Sequence, residues 1–195
     1  MTIKTIKGML MDVAPTKSEA IAIWMCSGFN TRNAIWRFEL KEKGIEIKLI
    51  HPERGDISSN VKDSAFESNL IGYEPWRLHF ETLWEITSDF GKLKYIYVFP
   101  NPEDKPRLNH IEDINQLINK CLDVLNVNSI HSVSFILIPA LPRGEYNIEI
   151  EDLQSAKQMI YSIRNWLSEN ESNMEVYLVD RVDGFKAAIE QIDSV

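Results

Sequence analysis

The sequence predicts an α/β fold whose central sheet is largely parallel, with helices on both faces. Three observations carry this. The run EAIAIWM at 19–25 is almost continuously apolar, as a strand covered on both faces must be. Segments with apolar residues at three- and four-residue spacing stand between the strand-length runs and have the pattern of amphipathic helices. From Ile45 to the end the two kinds of segment alternate, the order that strand–helix–strand crossovers impose.

In order along the chain, Ile3, Thr5 and Lys7 alternate with Lys4, Ile6 and Gly8 and predict a short strand with one exposed face. The 19–25 run is the second strand. Residues 31–43 predict a helix: Thr31 can cap it, Ile35 and Phe38 give it an apolar side, and Gly44 stops it. Ile45, Ile47 and Leu49 alternate with Glu46 and Lys48, a half-exposed strand. Residues 52–72 are polar and rich in turn formers and predict a long irregular, insertion-like loop with at most one helical turn. Trp76, Phe80, Leu83, Trp84 and Thr87 then recur at helical spacing up to Gly91. LKYIYVF at 93–99 is a strand by its aromatic and β-branched content, closed by the NPEDKP turn.

The second half is more regular. Ile111, Ile114, Leu117, Ile118, Cys121, Leu122 and Leu125 define one face of a long helix. VSFILI at 133–138 is a buried strand, and 139–147 a loop. Leu153, Ala156, Ile160, Ile163 and Leu167 mark the next helix. VYLV at 176–179 and residues 183–192 close the chain as strand and helix. There is no internal repeat, so residues 1–195 are expected to form a single domain with the insertion-like segment at 52–72.

Composition narrows the function classes. Of 195 residues, 44% are hydrophobic and 26% charged, which excludes disorder and a disulfide scaffold. Net charge is −8; residues 1–94 carry 13 basic and 13 acidic groups, residues 95–195 carry 8 and 16. No basic stripe is available to neutralise phosphates along a duplex, so long nucleic acid is not an expected partner. No apolar run approaches the ~20 residues that span a bilayer, and MTIKTIKG lacks a signal-peptide core, so a cytoplasmic protein without a membrane partner is expected. Cys26 and Cys121 are far apart in apolar segments and predict free thiols in a reducing compartment. His51, His79, His110 and His131 show no metal-ligand spacing, and neither a metal nor a cofactor is expected.

Ligands of open α/β sheets bind beyond the carboxyl ends of the strands. Two loops qualify, CSGFN at 26–30 and PALPRGEYN at 139–147. Each is followed by a predicted helix, whose unpaired N–H groups and positive dipole end suit phosphate. Cys26 lies at a strand end, but no histidine is near it in sequence, and a small buried hydrophobe is the better description. Glu81 and Glu85, four apart on the expected helix, fit a solvated face better than an acid–base pair.

The stretch SVSFILIPALPRGEYNIEIEDLQSAKQMIYSIRNWL resembles the second phosphate-loop region of macro domains. Pro139, Ala140, Leu141, Gly144 and Tyr146 match that family's strand–proline–small–leucine–glycine turn–aromatic pattern. LKYIYVFP, HIEDINQLINKCLDVL and EVYLVDRVDGFKAAI are similar to the strands and helices on either side, and IKTIKG with EAIAIWM to the opening strand pair. The resemblance covers about two thirds of the chain, best from Leu93 onward. It implies a three-layer α/β/α fold with a mixed, mostly parallel sheet, and ADP-ribose or a related nucleotide as ligand. It implies Ser27, Gly28, Asn30, Ala140, Leu141, Arg143, Gly144, Tyr146 and Phe185 as ligand contacts, Phe185 near the adenine.

The sequence departs from the family pattern at several of its functional positions. Met9 follows Gly8 where the family has an acidic residue, with Asp12 out of register. Thr31, Arg32 and Asn33 occupy the region of the family's three-glycine loop, and Pro142-Arg143-Gly144 keeps one glycine of two. Eight glycines in the whole chain fit this loss. No catalytic residue is therefore assigned, and binding without strong catalysis is expected. Two alternatives stand beside it. One is a scaffold that has lost the nucleotide site, with Trp24, Met25, Phe29 or the 52–72 segment filling the cleft. Such a scaffold would bind a protein partner or a second copy through the expected Trp76–Trp84 helix. The other is an ADP-ribosyl hydrolase. Arg143 could grip phosphate or pair with Glu145, Glu149 and Glu151; Gly144 and Tyr146 could equally form a tight turn with a packed aromatic.

Overall fold

The computed structural model describes residues 2–24, 49–51, 55–56, 83–86, 89–99, 110–137 and 148–194. Among them are eight strands and four helices: β1 (Thr2–Lys7), α1 (Leu10–Lys17), β2 (Ala20–Trp24), β3 (Leu49–His51), β4 (Gly55–Asp56), β5 (Leu83–Ile86), β6 (Tyr95–Phe99), α2 (His110–Val127), β7 (Ser132–Phe135), α3 (Ile148–Glu169), β8 (Glu175–Asp180) and α4 (Gly184–Asp193). The strands form one mixed sheet in the order β1-β8-β7-β2-β6-β5-β3-β4. The four pairings from β1 to β6 are parallel and the three from β6 to β4 antiparallel.

Strand periodicity splits the core into two layers. On one face Ala20, Ala22, Tyr97, Phe99, Val133, Phe135, Val176 and Leu178 pack beneath α2, α3 and α4. On the other, Ile21, Ile23, Ile96, Tyr177 and Val179 pack with Leu10, Met11 and Ala14 of α1. Helices thus lie on both faces, as the sequence predicts. The α2–α3–α4 layer is also tied by polar contacts: the Trp166 indole donates to Asp123 at 2.7 Å, and Arg164 pairs with Asp193 at 2.9 Å. Cys121 is a buried free thiol of this layer, and burial pushes its pKa well up. No helix among the described residues is long and apolar enough to cross a membrane.

Three features differ from the sequence expectation. The helix expected through Leu83 and Trp84 is not there; Leu83–Ile86 is strand β5, antiparallel to β6. Leu83 and Ile86 are buried on opposite faces of the sheet, so a three-residue spacing that mimics a helix here serves a strand. Glu85 is accordingly an exposed strand residue, not a member of a helical pair with Glu81. Within the segment expected as a loop, Gly55–Asp56 pairs with Ile50 and His51 as a short hairpin strand. Helix α1 has no counterpart in the sequence expectation and holds Pro15 within it. Its end is tied down: Pro15 O accepts Lys92 N–H from the turn before β6 at 2.7 Å, and Ala14 O accepts the helical N–H of Ser18 at 2.9 Å. Ser18 in turn shares a 2.8 Å hydrogen bond with Ser134 of β7. The helix expected at 31–43, the strand start at Ile45 and residues 57–72 lie outside the described residues.

Gly91 turns the chain between β5 and β6 at φ 58°, and a Cβ there would meet Pro15 O at 2.4 Å. Both the left-handed backbone and the close approach to α1 require glycine. Gly91→Ala should destabilise the fold by about 2–3 kcal/mol, a fall of roughly 4–10 °C in Tm by calorimetry. An unchanged Tm would contradict this account of the α1–turn contact.

Candidate functional site at the carboxyl edge of the sheet

Because β1, β8, β7, β2 and β6 are mutually parallel, their carboxyl ends all lie on one edge. β2 and β7 are direct neighbours, with Ala22 opposite Phe135. The segments that follow Trp24 and Leu137 therefore leave the same edge from strands about 4.8 Å apart. Helix α3 begins at Ile148, just past the second of them. Ser27, Gly28, Asn30, Ala140, Leu141, Arg143, Gly144 and Tyr146 lie on these two segments, outside the described residues. The sheet brings the roots of the two loops together, which their separation in sequence does not reveal.

On the same edge, next to the end of β7, lies the turn from β8 into α4. Asp180 organises it: its carbonyl accepts Gly8 N–H at 2.8 Å and its carboxylate accepts Phe185 N–H at 2.8 Å. The carboxylate thus satisfies an otherwise orphaned donor of the first turn of α4. Asp183, left-handed at φ 58°, turns toward β1 and pairs with Lys7 at 2.7 Å. The hydrogen bond and charge of Asp183, with Asp180 beyond it, hold the Lys7 pKa above the ordinary lysine value. Phe185 is 1% exposed and its ring belongs to the α2–α3–α4 core. At this edge it offers a backbone N–H that Asp180 already takes, while Val182 beside it is 81% exposed.

Across β1, Met9 precedes α1 with no side-chain cap, and its carbonyl accepts the N–H of Asp12 and Val13. Asp12 is exposed one turn into the helix. The Lys7–Asp183 and Asp180–Phe185 contacts were missed by the sequence reading. The trace they leave there is Asp183, just before a Gly-led helix in DRVDGF. No group of three or more His, Cys, Asp or Glu side chains able to hold a metal is found among the described residues.

A scan against protein-family models finds no match, and a search of curated proteins finds no significantly similar sequence. Solved structures do match. The macrodomain of Mycobacterium tuberculosis DarG superposes over 91% of this chain and 97% of its own with a TM-score of 0.53 at 12% identity. The Oceanobacillus iheyensis macrodomain with MES bound matches over 99% and 93% with a TM-score of 0.57 at 16% identity. The Trypanosoma brucei macrodomain in complex with ADP-ribose matches over 98% and 68%, also with a TM-score of 0.57, at 12% identity.

The fold is that of a macro domain.

In this macro-domain fold, β1, β8, β7, β2 and β6 form the parallel part of the sheet, and the β5–β3–β4 meander extends it past β6. Asp180→Ala should cost about 1 kcal/mol by removing the cap on α4, measured by urea unfolding. Asp180→Asn, which keeps an oxygen acceptor, should cost less. Equal losses in the two variants would show that the cap is not what Asp180 contributes.

Proposed function

We propose that the chain binds ADP-ribose or a related nucleotide at the carboxyl edge of its sheet and does not turn it over strongly. The observation that carries this is the adjacency of parallel β2 and β7, which roots both candidate loops side by side. Among structures sharing this fold, the Trypanosoma brucei macrodomain has been seen in complex with ADP-ribose and with ADP. In this reading Ser27, Gly28 and Asn30 approach the ligand from one side. Ala140, Leu141, Arg143, Gly144 and Tyr146 approach it from the other, the backbone at Gly144 close to the diphosphate. Phe185 supports the turn from the core and does not stack on the base.

Weak or absent turnover follows from what the sequence places around that edge. Hydrolysis needs a water held at the reacting carbon by positioned groups. Trp24-Met25 stands at the strand end where the family is rich in asparagine, and Thr31-Arg32-Asn33 replaces a glycine-rich loop.

Calorimetric titration of ADP-ribose into the wild-type chain and Gly144→Val tests the proposal. Saturable micromolar binding, about −8 kcal/mol, is expected for the wild type. It should be lost in a variant whose thermal melt is unchanged. Incubation of the wild type with ADP-ribosylated protein should release little ADP-ribose. Absence of heat at millimolar ligand would overturn nucleotide binding and leave the fold as a scaffold for a protein partner.

A further inference from the structure

The opposite, amino edge of the sheet carries a concavity of about 590 Å³. Its walls are the starts of four strands and the ends of two helices. Glu19, Tyr95, Ser132 and Glu175 come from the strand starts; Asn128 and Ser129 follow α2, and Asn173 follows α3. Lys92, Lys94, Ile130 and His131 complete the lining. It lies one strand length, roughly 17–20 Å, from the carboxyl edge of the sheet.

The groove's acidic groups are already engaged. Glu19 accepts the backbone N–H of His131 at 2.6 Å. Glu175 accepts Lys4 at 3.1 Å and the Tyr177 hydroxyl at 3.0 Å, and these bonds hold its carboxyl below the ordinary value. The basic groups are less committed: the charge of Lys92 helps lower the Glu175 carboxyl from a distance. Leu93 is wholly buried, so Lys92 and Lys94 on either side of it project outward together. Neither ammonium is drawn into a hydrogen bond or ion pair among the described residues.

Two helix C-termini end here, and their negative dipole ends would oppose an anion. Both are quenched locally. Val124 O accepts the backbone and side-chain N–H of Asn128, and Leu125 O accepts Ile130 N–H. At α3, Trp166 O accepts both N–H groups of Asn170, and Leu167 O accepts Ser172 N–H. Left-handed Ser129 (φ 56°) and Glu171 (φ 48°) make these closures. The groove therefore presents two neighbouring ammoniums, an exposed imidazole and the Asn173 amide beside the engaged Glu19 and Glu175 carboxylates.

We propose that this amino-edge groove binds a compact polyvalent oxyanion, gripped by Lys92 and Lys94 and hydrogen-bonded by His131 and Asn173. Two charge-assisted donors spaced across a concavity suit a diphosphate-sized anion better than a monovalent one. The site is independent of the nucleotide site proposed above.

The test is a titration of ¹⁵N-labelled protein with inorganic pyrophosphate at constant ionic strength, followed by amide shifts. Saturable shifts are expected at Ser129, His131 and Asn173, unaffected by saturating ADP-ribose. They should weaken about tenfold, or 1.4 kcal/mol, in Lys92→Gln/Lys94→Gln. That double variant keeps the backbone bond from residue 92 to Pro15 and should melt and bind ADP-ribose as the wild type does. Shifts confined to Gly8–Asp12 and Asp180–Phe185, or displaced by ADP-ribose, would overturn the proposal, as would shifts that chloride reproduces. A failure of ADP-ribose binding alone leaves these outcomes unchanged, so the two proposals fail separately.

Discussion

The structure depends on burying β2 from both sides. Ala20, Ala22, Ile21 and Ile23 are all fully buried, the alanines under α2 and α3 and the isoleucines under α1. A strand covered on both faces has no solvent into which to turn its backbone, so both its edges must be paired. β7 and β6 supply those edges, each parallel to it. Parallel neighbours need crossovers, and the helices that make them provide the two covering layers. The fold follows from one five-residue segment that cannot be left exposed.

That constraint also divides the molecule into two chemically different edges. Parallel strands begin together and end together. At the carboxyl edge the segments after β2 and β7 emerge next to the Asp180 turn, with its backbone donors to Asp180 and its Lys7–Asp183 pair. At the amino edge the strand starts meet two closed helix C-termini and the exposed Lys92 and Lys94. The small polar ties matter because they fix turns and do not add to the core. Asp180 closes one turn on α4; Pro15 and Gly91 close another on α1.

Much of this was legible in the sequence, and the reasons for the remainder are specific. The second strand, the two long helices and the closing strand and helix each bury a regular apolar pattern, so periodicity found them. β5 was misread because Leu83 and Ile86 are three apart and buried on opposite faces, while Trp84 lies four from Phe80. Pairing with β6 decided the matter, and pairing is invisible in a local window. α1 is short and holds Pro15, and the bond that anchors its end, from Lys92 N–H to the Pro15 carbonyl, comes from a distant part of the chain. For the site, the loops could be nominated from strand ends and from resemblance. The Lys7–Asp183 pair could not, since its members are 176 residues apart and only the β1–β8 register joins them.

The central claim is that the ligand is held where the parallel strands end. Hydrogen exchange read by mass spectrometry, with and without ADP-ribose, tests it directly because it reports every segment at once. Slowed exchange is expected in peptides covering 25–33, 138–147 and 180–185. Peptides covering 128–132 and 170–175 should be unchanged. Slowing confined to the amino edge, or none anywhere under saturating ligand, would contradict the account.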